Sequence, residues 1–119
     1  MTHLKVKITT PLLDATRDFY MSVLGMSVLQ EWDDAGDRGV ILELGDGVRE
    51  ALLEIHEGPR AADMSGLSLQ FKVEDLEGFV SSVSPLVQFR GPVPRPWGSS
   101  YVYLTDPNGV SVIVYRGGW

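Results

Sequence analysis

Trp97-Gly-Ser-Ser-Tyr-Val-Tyr-Leu-Thr-Asp-Pro-Asn-Gly-Val-Ser-Val-Ile-Val-Tyr115 consists of two β-rich arms around a turn. Pro107 presets φ for the start of a type I turn and Asn108 tolerates the next position. Gly109 supplies the left-handed conformation that closes a three-residue loop with a bulge. A loop of that kind fixes register: Asp106 falls opposite Val110, Tyr103 opposite Ile113 and Tyr101 opposite Tyr115. Side chains alternate along a strand, so Tyr101, Tyr103, Ile113 and Tyr115 share one face, while Val112 and Val114 take the other.

The same alternation opens the chain. In His3-Leu-Lys-Val-Lys-Ile-Thr9, Leu4, Val6 and Ile8 point one way and His3, Lys5, Lys7 and Thr9 the other. Leu12, Ala15, Phe19 and Val23 then recur at helical spacing over 12–24, and Gly25 stops the helix. Strands are expected at 26–32, 39–44 and 51–56, the last starting near Val48, with a turn-rich break at 33–38. A linker is expected over about 58–66. The order then repeats: a strand over 67–73, a helix over 75–83 with Glu74 and Asp75 at its start, and strands at 86–89, 100–105 and 110–116. The three prolines of 90–98 predict a loop. Module one thus covers about 3–57 and module two about 67–116, within a single domain over 1–119.

Composition narrows the function. The chain has 119 residues, 44% hydrophobic, with no cysteine and a net charge of −6. Thiol nucleophiles and cysteine-held metals are excluded. Nucleic acid is not expected as a partner, because phosphate binding uses clustered Lys and Arg. No apolar run reaches the roughly 18 residues of a membrane span and no signal-peptide pattern is seen, so no membrane partner and a cytoplasmic location are expected. The glycines at 36, 39, 45 and 47 lie in turns between strands rather than before a helix, so they do not read as a phosphate loop.

With both modules placed, the chain resembles the vicinal oxygen chelate superfamily, which holds glyoxalase I, extradiol dioxygenases, fosfomycin-modifying enzymes and bleomycin-resistance binding proteins. The resemblance is carried by Thr10-Pro-Leu-Leu-Asp-Ala-Thr-Arg-Asp-Phe-Tyr-Met-Ser-Val-Leu-Gly25, by Leu69-Gln-Phe-Lys-Val-Glu-Asp-Leu76, and by Trp97-Gly98 with Asp106-Pro-Asn-Gly109. It implies an α+β fold of two βαβββ modules whose curled mixed sheets surround a cavity, with the helices outside. Leu4, Val6, Ile8, Leu69, Phe71, Val73, Val112 and Val114 would then pack against the helices.

The resemblance also implies where a metal would be held: Lys5, Glu54, Ser68 and Ile113 fall at the ligand positions. An ammonium has no lone pair, an alkyl group cannot ligate and a serine hydroxyl is a poor ligand, so only Glu54 suits a metal. No metal site and no cofactor are therefore expected. A displaced cluster of His3, Glu54 and His56 is the alternative, and Glu54 paired with Lys5 is a plainer role for both. The expected ligand-binding residues are Lys5, Glu54, His56, Ser68, Trp97, Tyr101, Tyr103 and Ile113, with Trp97 and Trp32 able to stack on a flat ligand. The expected function is metal-independent binding of an aromatic or cationic small molecule by a homodimer. The alternative is an enzyme of the same superfamily, either with displaced metal ligands or using Glu54 as a metal-free acid–base catalyst.

Overall fold

The structure, a computed structural model, describes residues 1–59 and 63–119. The expected linker therefore lies partly outside the described residues. Those residues form two helices and eight strands in two four-stranded mixed sheets, an α+β architecture. The chain divides into two compact units, Met1–Ala62 and Asp63–Trp119.

In the first unit, the alternating Leu4–Thr10 is β1 and the amphipathic Leu13–Ser22 is α1. Ser27–Asp34, Asp37–Gly45 and Val48–Glu57 are β2, β3 and β4. The sheet order is β1-β4-β3-β2, with β1 parallel to β4 and the other pairs antiparallel. Leu13, Phe19 and Tyr20 of α1 are buried, as are Ile8, Val40, Leu42, Leu53 and Ile55 on the sheet face of matching parity. Each such side chain contributes about 1.5–3 kcal/mol when fully removed from water. Leu4, expected in this layer, is 65% exposed at the start of its strand. The Thr10 hydroxyl accepts from Leu12 N–H at the head of the helix (2.9 Å), and Gly25, with φ 72°, ends it beside a bond from Met26 N–H to the Tyr20 carbonyl.

The second unit repeats the plan. Its elements are β5 (Ser68–Lys72), α2 (Leu76–Val83), β6 (Arg90–Pro94), β7 (Ser100–Thr105) and β8 (Ser111–Arg116), with sheet order β5-β8-β7-β6. Asp75 caps α2 by accepting from Gly78 N–H at 2.9 Å. Val102, Val112 and Val114 are fully buried on the helix-side parity, as are Leu76 and nearly so Val83. The final hairpin has the register its loop dictates: Tyr103 pairs Ile113 and Tyr101 pairs Tyr115. Gly109 sits at φ 85°, and the buried Asp106 carboxylate accepts from Asn108 N–H (2.7 Å) and Val110 N–H (2.9 Å).

Two segments differ from the sequence expectation. The break at 33–38 is shorter, because β2 and β3 continue to Asp34 and Asp37 and only Ala35 and Gly36, both with positive φ, turn the chain. The strand expected at 86–89 lies instead at Arg90–Pro94, inside the segment expected to be a loop. Proline is tolerated there because β6 is the outer strand of its sheet and need not donate on its free side.

Asp106→Ala strips two buried N–H groups of their acceptor and is expected to destabilise the protein by about 2–4 kcal/mol. Asp75→Ala, which removes one exposed capping bond, should cost about 1 kcal/mol. Urea titration of the two variants checks the order; equal losses would mean that the hairpin does not depend on the Asp106 carboxylate.

Candidate functional site

On the helix-distal face of the first sheet, register places Lys5, Lys7 and Thr9 of β1 beside Leu52, Glu54 and His56 of β4. Gly39, Ile41 and Glu43 of β3 follow, and then Gln30 and Trp32 of β2. Glu54 lies between two lysines: Lys5 Nζ is 2.8 Å from one carboxylate oxygen and Lys7 Nζ 3.9 Å from the other. The buried Glu43 carboxylate accepts from Arg49 Nε (3.0 Å) and Gly47 N–H (3.2 Å), and these two bonds, the arginine's first, hold its pKa below the usual carboxylate range.

At the other end of this face Trp32, Asp37 and His56 meet. Trp32 Nε1–H donates to Asp37 Oδ1 at 2.9 Å, and His56 Nε2 lies 2.7 Å from the same oxygen. An ionised carboxylate only accepts, so the imidazole proton sits on Nε2. With Nε2 donating, Nδ1 is the ring nitrogen left to carry a lone pair or a second proton, and among the described residues it has no hydrogen-bond partner. Indole and imidazole stack at 28° with centroids 6.4 Å apart, across Gly39, which pairs with both residues. A Cβ at Gly39 would collide with the indole, so glycine is what lets the two rings face each other. The Trp32 bond, then the His56 bond, hold the Asp37 carboxyl below its ordinary pKa. A cleft of about 320 Å³ lies alongside, lined by Leu13, Arg17, Trp32, Arg38 and Val40. Arg38 is fixed by Asp14 (2.9 Å) and Glu57 (2.7 Å).

The corresponding face of the second sheet is aromatic and basic. Tyr101 is flanked by Tyr103 (5.9 Å), Tyr115 (5.5 Å) and Trp97 (5.9 Å). The Arg90 guanidinium lies 4.0 Å over Tyr103, and that of Arg95 lies 4.9 Å from Trp97 and 6.0 Å from Tyr101. Lys72 approaches Trp119 at 5.8 Å. Ile113 is buried between Tyr103 and Gln70 in the register. Arg95 Nε is buried with no acceptor among the described residues. A cleft of about 440 Å³ adjoins the Arg90–Tyr103 stack, with Val87, Phe89 and Leu104 also in its wall.

Of the residues singled out in the sequence, Lys5, Glu54 and His56 share the first face. Trp97, Tyr101, Tyr103, Ile113 and the exposed Ser68 belong to the second unit. Lys5 and Glu54 form the ion pair that was the plainer expectation for them. The displaced cluster of His3, Glu54 and His56 does not form. Among the described residues no three His, Asp or Glu are placed to hold a metal, since Glu54 is held by lysines and His56 by Asp37. Asp37, Arg90 and Arg95 escaped the sequence reading. Extending the parity of 39–44 back to 37 finds the first; the other two lie in the proline-rich segment taken for a loop.

The chain belongs to the Glyoxalase/Bleomycin resistance protein/Dioxygenase superfamily, whose family model matches residues 2–114. No curated protein sequence matches it. Among solved structures it is similar to integron cassette protein HFX_CASS4 from the mobile metagenome of the Halifax Harbour sewage outfall, at 23% identity, 97% coverage of each chain and a TM-score of 0.78. It is also similar to lactoylglutathione lyase from Agrobacterium tumefaciens, at 20% identity, with 96% of this chain and 92% of that one covered and a TM-score of 0.72. A third is TnmS3, an antibiotic binding protein from Streptomyces sp. CB03234, at 16% identity, 99% and 98% coverage and a TM-score of 0.72. At these identities the likeness is one of fold. No described helix is long and apolar enough to cross a membrane.

The superfamily includes metal enzymes, and the four positions implied for a metal can be tested by their donors. Lys5 is an ammonium bound to Glu54, Ile113 is a buried hydrocarbon, Ser68 is a lone exposed hydroxyl, and both Glu54 oxygens face lysines. This set does not fit a metal ion.

The Asp37 acceptor is open to measurement through the indole N–H of Trp32. A lowered folded pKa means that the interaction stabilises above the unfolded value, about 3.9, and fades only as pH falls through the folded value. The Trp32 Nε1–H resonance is therefore expected to hold its position down to about pH 4 and to move below that. It should move at neutral pH in Asp37→Ala, while the Trp97 and Trp119 resonances stay in place. A shift completed above pH ~4 would contradict the depressed carboxyl.

Proposed function

We propose that this protein binds a small aromatic molecule without a metal, chiefly on the second unit's sheet face, and that it does so as a cytoplasmic homodimer. The observation that carries this reading is the continuous array of Trp97, Tyr101, Tyr103 and Tyr115, with ring centroids 5.5–5.9 Å from Tyr101. Trp97, Tyr103 and Tyr115, grouped around the buried Tyr101, offer apolar ring faces with polar tips, the usual material of a small-molecule site, and a cleft stands beside them. The unsuitable donors at Lys5, Ser68 and Ile113 support metal independence. TnmS3, named as an antibiotic binding protein, supports ligand sequestration as a use of this fold. Exposed Leu86, Trp97 and Trp119 offer apolar surface for a second copy.

A second reading is favoured by the His56–Asp37 pair: metal-free acid–base catalysis by a superfamily enzyme. For that chemistry His56 is better placed than Glu54. Its Nε2–H is anchored and its Nδ1 is left to carry a lone pair or a second proton, whereas lysines face both oxygens of Glu54.

Thermal-shift and calorimetric titration against a panel of aromatic metabolites and drugs is expected to find a ligand whose affinity is the same with and without a chelator. Tyr103→Ala should weaken that ligand by up to roughly tenfold, the equivalent of about 0.5–1.5 kcal/mol of ring contact. No shift with any compound, in protein shown to be folded, counts against binding. A solution mass of one 13.1 kDa chain counts against the dimer. Should turnover of any panel compound be found, it is expected to fall by about 100-fold or more in His56→Gln and to survive Glu54→Gln; the reverse pattern would return the role to Glu54.

A further inference from the structure

We infer that the second unit's sheet face selects an aromatic anion, a flat ring system carrying a carboxylate, rather than a neutral or cationic compound. The inference rests on the binding reading above and adds the charge of the ligand, against the cationic ligand that the net charge of −6 alone would suggest.

Ion pairing is distributed unevenly over the molecule. Lys5, Lys7, Arg17, Arg38, Arg49 and Arg116 each have a carboxylate partner. Among the described residues, the Lys and Arg side chains left without one are Lys72, Arg90 and Arg95, and all three lie against aromatic rings of the second unit. In a chain with 16 acidic residues against 10 basic ones, shortage of carboxylates does not explain this. The strand positions that share this face hold Ser68, Gln70, Thr105 and Ser111 beside the tyrosines and Ile113, and none of them is acidic.

The stacking geometry decides what these cations can still do. A guanidinium lying over a ring spends its flat face on the aromatic contact and keeps its N–H groups in the plane, where a carboxylate can take two of them at once. The Arg90 guanidinium carbon lies over the Tyr103 ring at 4.0 Å, and Arg90 lines the second cleft. Arg95 goes further: its Nε–H is already out of water and has no acceptor. A buried donor without a partner is an unfavourable state that a ligand oxygen would relieve. Ring stacking on Tyr103 and Trp97, which pack against the buried Tyr101, together with a carboxylate on the arginines uses the exposed features of this face. A cationic ligand would stack equally well but would be driven against three uncompensated positive charges.

Three ring-matched probes test this: 2-naphthoate, 2-naphthamide and 2-naphthylmethylammonium, titrated by tryptophan fluorescence and calorimetry on the full chain. Naphthoate is expected to bind at least tenfold more tightly than the ammonium, with the amide between them, and to weaken as sodium chloride is raised. Arg95→Gln should weaken naphthoate about tenfold and Arg90→Gln severalfold. Both should weaken the amide by less than they weaken naphthoate, because its carbonyl oxygen accepts a hydrogen bond but carries no charge. Arg116→Gln, whose side chain lies by Glu77, should change none of the three. Equal binding of all three probes, or a preference for the ammonium, overturns the charge selection and leaves aromatic binding standing. So does naphthoate binding that is indifferent to both arginine variants. Failure of all three to bind folded protein overturns both readings.

Discussion

A single carboxylate sets the geometry from which the aromatic face follows. Asp106 accepts two backbone N–H groups inside its own turn, and Gly109 takes the left-handed conformation that lets the chain return beside itself. The loop can then close at one length only, and that length decides which side of the sheet every following residue occupies. A slip of one residue would bring Val112 and Val114 to the aromatic side and drive Tyr115 into the layer under α2. Burial of the valines against the helix opposes that slip from the other end. Local turn chemistry and the hydrophobic core thus agree on the same register, which is the mark of a well-specified element.

The two units share a topology and differ in what they do with charge. The first holds eleven acidic and six basic residues, the second five and four. In the first, the charges are consumed locally: Glu54 by lysines, Glu43 by Arg49, and Arg38 by Asp14 and Glu57. An exposed group such as Arg38 with Asp14 and Glu57 adds little to stability, typically below about 1 kcal/mol per pair, but each pair occupies charges that could otherwise recognise a ligand. The second unit instead sets Lys72, Arg90 and Arg95 against rings, with Arg116 alone paired to Glu77 among its described cations, and leaves the N–H groups of the first three without a carboxylate. Repetition of one supersecondary plan has therefore produced two surfaces of unlike chemistry, with the exception of the Trp32–Asp37–His56 group, where the first unit also keeps an unoccupied nitrogen.

Most of the fold was legible in the sequence because its signals are periodic or local. Alternation over 4–9 and 101–115, helical spacing over 12–24, and the Pro107-Asn108-Gly109 turn each act over a few residues and needed no tertiary information. The Lys5–Glu54 pair was legible for the same reason: two strands of known parity brought opposite charges to one face. The errors came where composition and tertiary context conflict. Asp33-Asp34-Ala35-Gly36-Asp37 reads as a polar turn, yet pairing with neighbours extends the strands through all but two of its residues. Three prolines over 90–98 read as a loop, but an outer strand does not need the missing N–H groups. The basic side of the aromatic face was lost with that segment. Partnership is also non-local: that Arg90 and Arg95 have rings and no carboxylates is a property of the folded chain, not of their neighbours in sequence.

The prolines of β6 have one more effect. Pro92 and Pro94 stand on the outermost strand of the second sheet, beside the arginine that stacks on Tyr103. A strand so built cannot offer a regular ladder of donors to a newcomer, so this rim resists recruitment of a foreign β-segment. The surface that presents its rings and guanidinium groups to a ligand is bordered by a built-in guard against sticking to other chains, and any growth of that sheet is left to the short β5 on its far side.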